Sequence, residues 1–220
     1  GRRIGLTQNQ GPVLEEMKSI LTQLGLKWGE YGRTEARCLG FSAPALAVWL
    51  TYHVGKKAAS KKIPAVVQTW DTSTIGEFLD ALILGDGSTT KGGHRILYTI
   101  SKAIADGAQI LALKTGIAAN VYFKDYVGVR RRIKGREFVD RNPIYIVSFL
   151  APSSTFPMVN GYRGRKGRWH DTWVNYVGTV HCVKVPHGLL YVRRNGVPCW
   201  SGNTHELVRH RVGVGISQES

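Results

Sequence analysis

The stretch Phe78-Leu79-Asp80-Ala81-Leu82-Ile83-Leu84-Gly85-Asp86-Gly87-Ser88 decides the fold. Ahead of it, Thr74 followed three residues later by Glu77 has the form of a capping box, and behind the apolar run Gly87 is a natural helix stop. The pattern predicts an apolar helix with Asp86 at its C-terminal tip. Ala81 and Gly85 stand four apart, so one face carries little side-chain bulk and lets a partner helix approach closely. Two readings follow from these residues alone. One is a core helix with an exposed acid at its end; the other is half of a helix pair, with a carboxylate beside whatever the partner offers.

Working outward, composition narrows the partners. The 220 residues carry thirty Lys and Arg against fifteen Asp and Glu, a formal charge of +15 with a pI near 10.0. That balance favours a polyanionic partner such as nucleic acid over an acidic small molecule. Cys38, Cys182 and Cys199 are spaced for neither a disulfide framework nor a zinc site, so a reducing compartment, cytoplasmic or nucleoid-associated, is expected. There is no signal-peptide pattern. The strongly apolar runs, such as Ala43 to Leu50, are too short for a membrane span, so no membrane partner is expected. Opening on Gly1 and stopping at Ser220 straight after a patterned segment, the chain reads as a fragment.

In chain order, a short strand from Arg3 to Thr7 precedes a Gly11-Pro12 break and an amphipathic helix to Leu24, closed by Gly25. A similar order returns after Asp86: a strand from His94 to Ile100, a helix from about Lys102 to Lys114 and a stop at Gly116. Arg3-Ile4 and Thr7 align with Arg95-Ile96 and Thr99 at an offset of 92, and Gly25-Leu26 with Gly116-Ile117 at 91. The repetition predicts a duplicated unit. At that offset the counterpart of the opening helix falls before Gly1.

Leu79, Leu82, Ile83, Asp86 and Gly87, with small residues at Ala81 and Gly85, resemble the motif that names the LAGLIDADG homing endonucleases. Lys61-Lys62-Ile63-Pro64 and Phe78 before it and Ser101-Lys102 after it look like the same family. The resemblance covers roughly residues 1 to 150. It implies an α+β fold of two αββαββα repeats, here without the first motif helix, with saddle-shaped sheets lying on double-stranded DNA. It also implies that Asp86 is both catalytic and a Mg²⁺ ligand, the other acid lying on the missing helix. Hard divalent ions take carboxylate oxygens and activate water for phosphodiester hydrolysis, which suits this assignment. Asp80, inside the helix, is given no catalytic role. Lys124, Arg131 and Lys134 remain alternatives for stabilising the transition state.

Residues 121 to 170 hold eleven Lys and Arg against three acids. Val127 to Arg136 and Ile144 to Phe149 read as strands, placing much of this charge on sheet and turns. Lys102, Arg130, Arg131, Arg132, Lys134 and Arg136 are the DNA-contact candidates. A solvated basic face is the competing reading. The Gly- and Arg-rich run Gly161 to Arg168 reads as a linker.

After the linker the texture changes to short alternating strands: Gly178 to Val185, Leu189 to Arg194, a turn at Asn195-Gly196, and Val197 to Trp200. Gly178 to Asn203 resembles the C-terminal end of an intein splicing (Hint) domain. That likeness implies Asn203 cyclisation with Thr204 as the hydroxyl acceptor. Cys182 stands where most inteins have an acid, as in a subclass whose internal thiol attacks first; a small buried cysteine is the other reading. Gly202 replaces the usual histidine, with His181 and His187 as substitutes.

Thr204 to Ser220 resembles the Thr-His-x-Leu-Val-Arg-His-Arg signature of flavin-dependent thymidylate synthases. The likeness implies nucleotide or flavin contacts for Arg209, His210 and Arg211, and FAD in the complete host enzyme only. The expected layout is therefore residues 1–66 as the remainder of a first repeat, 67–160 as the second repeat and 161–172 as a basic linker. Residues 173–203 would be a small all-β splicing piece and 204–220 the start of the C-terminal host segment. The implied function is site-specific, metal-dependent double-strand DNA cleavage joined to protein splicing, with the N-terminal intein and host segments missing. The alternative is a cleavage-inactive LAGLIDADG DNA-binding or maturase-like protein.

Overall fold

The computed structural model describes residues 3–32, 35–133, 135–150, 175, 177–179, 181 and 183–202. In chain order these form β1 (Arg3–Asn9), α1 (Pro12–Gln23), β2 (Trp28–Tyr31), β3 (Ala36–Ser42), α2 (Pro44–His53), α3 (Thr72–Asp86), β4 (Gly87–Thr89), β5 (Arg95–Thr99) and α4 (Lys102–Lys114). They continue with β6 (Ala119–Lys124), β7 (Arg130–Ile133), β8 (Arg136–Val139), β9 (Ile144–Phe149), β10 (Leu189–Arg194) and β11 (Val197–Gly202).

The internal repeat is visible in the sheets. In the first half β1, α1, β2 and β3 make a sheet of order β1-β3-β2; in the second, β5, α4, β6 and β9 make the order β5-β9-β6, extended on one side by β4. All of these pairings are antiparallel, with Arg3 opposite Ser42 and its repeat counterpart Arg95 opposite Phe149. Each half has its own core. The first gathers Leu14, Leu21, Leu39 and Phe41 between α1 and the sheet; the second gathers Ile75, Leu79 and Ile83 of α3 with Leu97, Leu111, Val121, Val147 and Phe149. The steps of four from Ile75 to Leu79 to Ile83 put these side chains on one face of α3, which is why that face is buried.

The opening helix starts earlier than its sequence predicts. Its cap is Asp71, whose carboxylate accepts the Thr74 backbone N–H at 3.0 Å and the Thr74 hydroxyl at 2.6 Å. The reading of Thr74 and Glu77 as a capping box is therefore corrected. An ionised carboxylate makes stronger bonds to these donors than a hydroxyl, and it also meets the positive end of the helix dipole. The Thr74 hydroxyl, and then its backbone N–H, hold the Asp71 carboxyl below its usual range.

At the other end α3 runs into β4 with no intervening loop. The Gly87 N–H closes the helix on the Ile83 carbonyl, and Gly87 is already paired with Leu97. A Cβ at residue 87 would collide with the Ile96 carbonyl and come within 2.7 Å of the Ile83 carbonyl. At α4 the cap is Ser101, fully buried, which accepts from the Ile104 N–H at 3.2 Å and donates to the Lys61 carbonyl at 2.5 Å. The helix 102–114 stands where the sequence predicts it.

Two strand expectations change. Val127 to Arg136 is not one strand but the start of a hairpin, β7 paired with β8, because the chain reverses around Gly135 at φ 81°. Gly178 to Val185 carries no strand among its described residues. In contrast, Asn195 at φ 51° and Gly196 at φ 79° make the predicted turn between β10 and β11. These angles match the left-handed pair that a two-residue hairpin loop requires.

The two glycines at the end of α3 should respond oppositely to a methyl group. Gly87→Ala is expected to lower unfolding free energy by about 1–3 kcal/mol through backbone collision. Gly85→Ala, where a Cβ meets nothing within 4 Å, should raise it by about 0.5–1 kcal/mol through helix propensity. Urea titration of both variants measures the contrast.

Candidate nucleic-acid interface and acidic site

Asp86 is the last residue of α3 and is exposed, with no ion pair among the described residues. The capping of Ile83 and the close approach at Gly87 fix its backbone, so the carboxylate stands at the junction of helix and sheet. It lies at the negative end of the helix dipole, where a cation is favoured. The narrow face beside it, Ala81, Leu84 and Gly85, is exposed. Asp80 differs: its carboxylate pairs with the Arg95 guanidinium, which also lies 5.8 Å from the centre of the Phe149 ring. The described residues hold no cluster of three His, Cys, Asp or Glu able to bind a metal ion. Asp86 thus offers oxygen donors suited to a hard ion, as one part of a ligand set.

The sheets supply what the sequence reading missed. Paired residues, and residues two apart on a strand, share a face. With Leu97, Val147 and Val121 buried under the helices, the opposite face of the second sheet carries Ser88, Ile96, Tyr98, Asn120, Tyr122, Lys124, Ile146 and Ser148. Tyr98 and Tyr122 are exposed, and His94 Nε2 is hydrogen-bonded to Ser148 Oγ at 2.9 Å. On the first sheet the corresponding face carries Arg3, Gly29, Tyr31, Cys38, Gly40 and Ser42. A groove of about 510 Å³ opens there, lined in part by Arg3, Lys27, Trp28 and Tyr31.

Arg3 lies over the Tyr31 ring at 4.7 Å and bonds its hydroxyl. Glycine makes this possible: a Cβ at Gly29 would sit 2.8 Å from the Tyr31 hydroxyl, and one at Gly40 3.1 Å from the Tyr31 ring. These faces combine aromatic rings, cations and hydroxyls on an extended surface, groups that can stack and donate to phosphate oxygens. The signal was present as the polar alternation opposite the core positions.

The basic residues singled out from sequence are dispersed. Arg130, Arg131 and Arg132 lie on β7, which pairs only with β8 in a two-stranded sheet apart from the four-stranded one. Arg131 is engaged internally, 4.0 Å from the centre of the Tyr126 ring and with Nε 2.6 Å from Asp140 Oδ2. That Asp140 oxygen is buried and receives no well-directed hydrogen bond, so the contact is an ion pair only. Arg132 stands opposite Glu137. Arg136 lies in β8. Lys102 begins α4, its Nζ 2.5 Å from Asp106 Oδ2. Lys124 ends β6, exposed. Lys134, Cys182, Asn203, Thr204, Arg209, His210 and Arg211, together with the linker at 161–172, lie outside the described residues.

Comparison with known proteins bears on this arrangement. Residues 73–142 match the model of a family described as the LAGLIDADG-like domain. The matched stretch is the segment from α3 through β8. Over 107 residues, 49% of the chain, the protein is 34% identical to a DNA-directed RNA polymerase subunit beta C-terminal section of Stigeoclonium helveticum. Over 136 residues, 61% of the chain, it is 27% identical to the DNA polymerase II large subunit of Thermococcus kodakarensis. The chain spans only 10% of the first and 8% of the second.

Among solved structures it is similar to variants of the homing endonuclease I-DmoI, at 12% identity over 67% of this chain and 73% of that one, with a TM-score of 0.46. It is also similar to I-DmoI in complex with DNA and Ca, over 67% of this chain and 68% of that one, with a TM-score of 0.47.

Within the matched segment, Arg131 and Arg130 should separate stability from surface charge. Arg131→Ala removes the Tyr126 and Asp140 contacts and should cost about 0.5–1 kcal/mol, the worth of a partly exposed cation–π and ion pair. Arg130→Ala should stay within about 0.5 kcal/mol of wild type. Thermal unfolding of the two variants checks this.

Proposed function

We propose that the chain is part of a LAGLIDADG homing endonuclease that cleaves double-stranded DNA with a divalent ion, joined to the C-terminal segment of a protein-splicing element. The observation that carries the reading is the LAGLIDADG-like domain at residues 73–142, whose helix α3 ends in the exposed Asp86. The surplus of Lys and Arg and the two polar sheet faces support DNA as the substrate. A match to about a tenth of two different polymerase subunits is also what an element inserted into unrelated hosts produces.

In this mechanism Asp86 would contribute carboxylate oxygens as one part of the ligand set of a Mg²⁺ ion. The ion supplies Lewis acidity and a water of lowered pKa. Asp86 would be held in place as a ligand because Gly87 ties the end of α3 to β5. Tyr98, Tyr122 and Lys124 would orient the duplex by hydroxyl and phosphate contacts, and Lys124 would offer a cation to the charge that develops on the scissile phosphate. Lys102, Arg130, Arg132, Lys134 and Arg136 add phosphate contacts.

After Gly202 the splicing chemistry falls to Asn203 and Thr204. The Asn203 side-chain nitrogen attacks its own carbonyl carbon, the bond to the Thr204 nitrogen breaks, and the Thr204 amine leaves with a proton. Before that, the Cys182 thiolate would attack the carbonyl at the upstream junction, breaking its C–N bond and releasing the amine to form a thioester, and the Thr204 hydroxyl would take the acyl group as an ester, releasing the thiol. Arg209, His210 and Arg211 lie in a host segment that starts at Thr204 and resembles a flavin-dependent thymidylate synthase, which binds FAD only when complete.

In the completed protein, Asp86→Asn should abolish metal-dependent cutting of a target duplex while leaving splicing intact. It should also weaken Ca²⁺ binding measured by calorimetry on the DNA complex. Cleavage at the wild-type rate removes Asp86 from the site. Retained DNA binding without cleavage in the wild type would favour the maturase-like alternative.

Asn203→Ala should block release of the C-terminal segment, read by mass spectrometry, and normal release sinks the junction. Cys182→Ala should abolish the branched ester; unaltered splicing rejects the thiol as nucleophile.

A further inference from the structure

A two-stranded hairpin alone in water is marginal; in β10–β11 Pro198 is buried, Tyr191 and Trp200 pack edge-to-face, and the rest of the apolar surface is partly exposed. Leu189, Val197 and Trp200 are each at least half exposed. What holds it is its tip, which is seated on the LAGLIDADG-like domain. The Val121 backbone N–H, on the free edge of β6, donates to the Gly196 carbonyl at 2.9 Å. A Cβ at Gly196 would collide with the Val121 carbonyl, so glycine is required both for the left-handed turn and for this approach.

Beneath the contact lies Gln109 of α4, 5% exposed. Its Nε2 donates to the Ala119 carbonyl at 2.6 Å and to the Gly196 carbonyl at 2.8 Å, and its Oε1 accepts from Arg193 Nη1 at 2.8 Å. The same Arg193 nitrogen lies 3.0 Å from Asp106 Oδ1, whose other oxygen holds Lys102.

We propose that Gln109 is the docking residue for the C-terminal hairpin, so that β10–β11 keeps its fold only while seated on α4 and β6. The satisfaction of Gln109 carries the inference. Lifting the hairpin away would break two of the three hydrogen bonds of Gln109 and open its amide to water. The bonds to Gly196 and Arg193 form only with the hairpin seated, so the seat fits this occupant in position and polarity. Two residues of the hairpin, Arg193 and Gly196, meet it through complementary groups, a charged donor and a carbonyl acceptor.

The seat also lies at the tip, away from the Leu189–Gly202 end where the hairpin opens. The domain therefore grips the hairpin at its tip. The segment after Gly202 thus begins from a strand whose position is set by the LAGLIDADG-like domain, whether or not that segment splices.

Amide hydrogen exchange on the full chain tests the dependence, independently of DNA cleavage and of splicing. In Gln109→Leu and in Gly196→Ala, the amides of β10 and β11 and of Val121 should exchange at least about tenfold faster, while Leu97 and Val147 keep wild-type protection. Arg193→Met should loosen the hairpin in the same pattern, and Arg193→Lys, which keeps a cationic donor, should restore part of the protection. If Gln109→Leu also exposes Leu97 and Val147, the hairpin variants Gly196→Ala and Arg193→Met decide. Unchanged hairpin protection in those two overturns the proposal. Loss of protection at Leu97 and Val147 in both would also overturn it, because the hairpin would then be part of the domain core rather than a docked element.

Discussion

Residue 87 has no room for a side chain. A Cβ there would run into the carbonyls of Ile96 and Ile83, so helix α3 and strand β5 approach as closely as backbone permits. Much of the second half follows from that contact. The helix ends on the Ile83 carbonyl without a loop, β4 begins at once, and the carboxylate of Asp86 is held where helix and sheet meet. The same constraint aligns the Ile75, Leu79 and Ile83 face with Leu97, so packing of the core and placement of the acid have one cause.

The duplication gives this arrangement its surfaces. Both halves build sheets in the same order, each with one face under helices and one face open. On the first sheet glycines clear a floor on which Arg3 and Tyr31 lie flat; on the second, tyrosines, a lysine and hydroxyls stand in the corresponding place. An extended, basic, ring-bearing surface of this kind suits a polyanion better than a small ligand. The three arginines of β7 act differently: one of them, Arg131, is consumed by Tyr126 and Asp140 inside the hairpin.

The tip of the C-terminal hairpin is joined to this body by hydrogen bonds to Gln109 and Val121. A buried amide and a buried backbone edge, once satisfied, are stringent about geometry, because a small displacement costs the full desolvation of each group. Docking of this type fixes position more than it adds stability.

By itself the sequence determined the helix 102–114, the run from Ile144 to Phe149, the Asn195-Gly196 turn, the duplicated order of elements and the position of Asp86 at a helix end. These are local: periodicity, capping and turn residues act over a few positions. Their errors were also local, as at Asp71, where a carboxylate three residues upstream outcompeted the hydroxyl taken as the cap, and at Gly135, where one glycine turned an expected strand into a hairpin.

The tertiary structure alone decided which residues share the open sheet faces, that Arg131 is spent on an internal pair, and that Gln109 meets Gly196 from 87 residues away. Strand register and the satisfaction of buried groups settle such meetings. They depend on partners distant in the chain, and no local pattern encodes them.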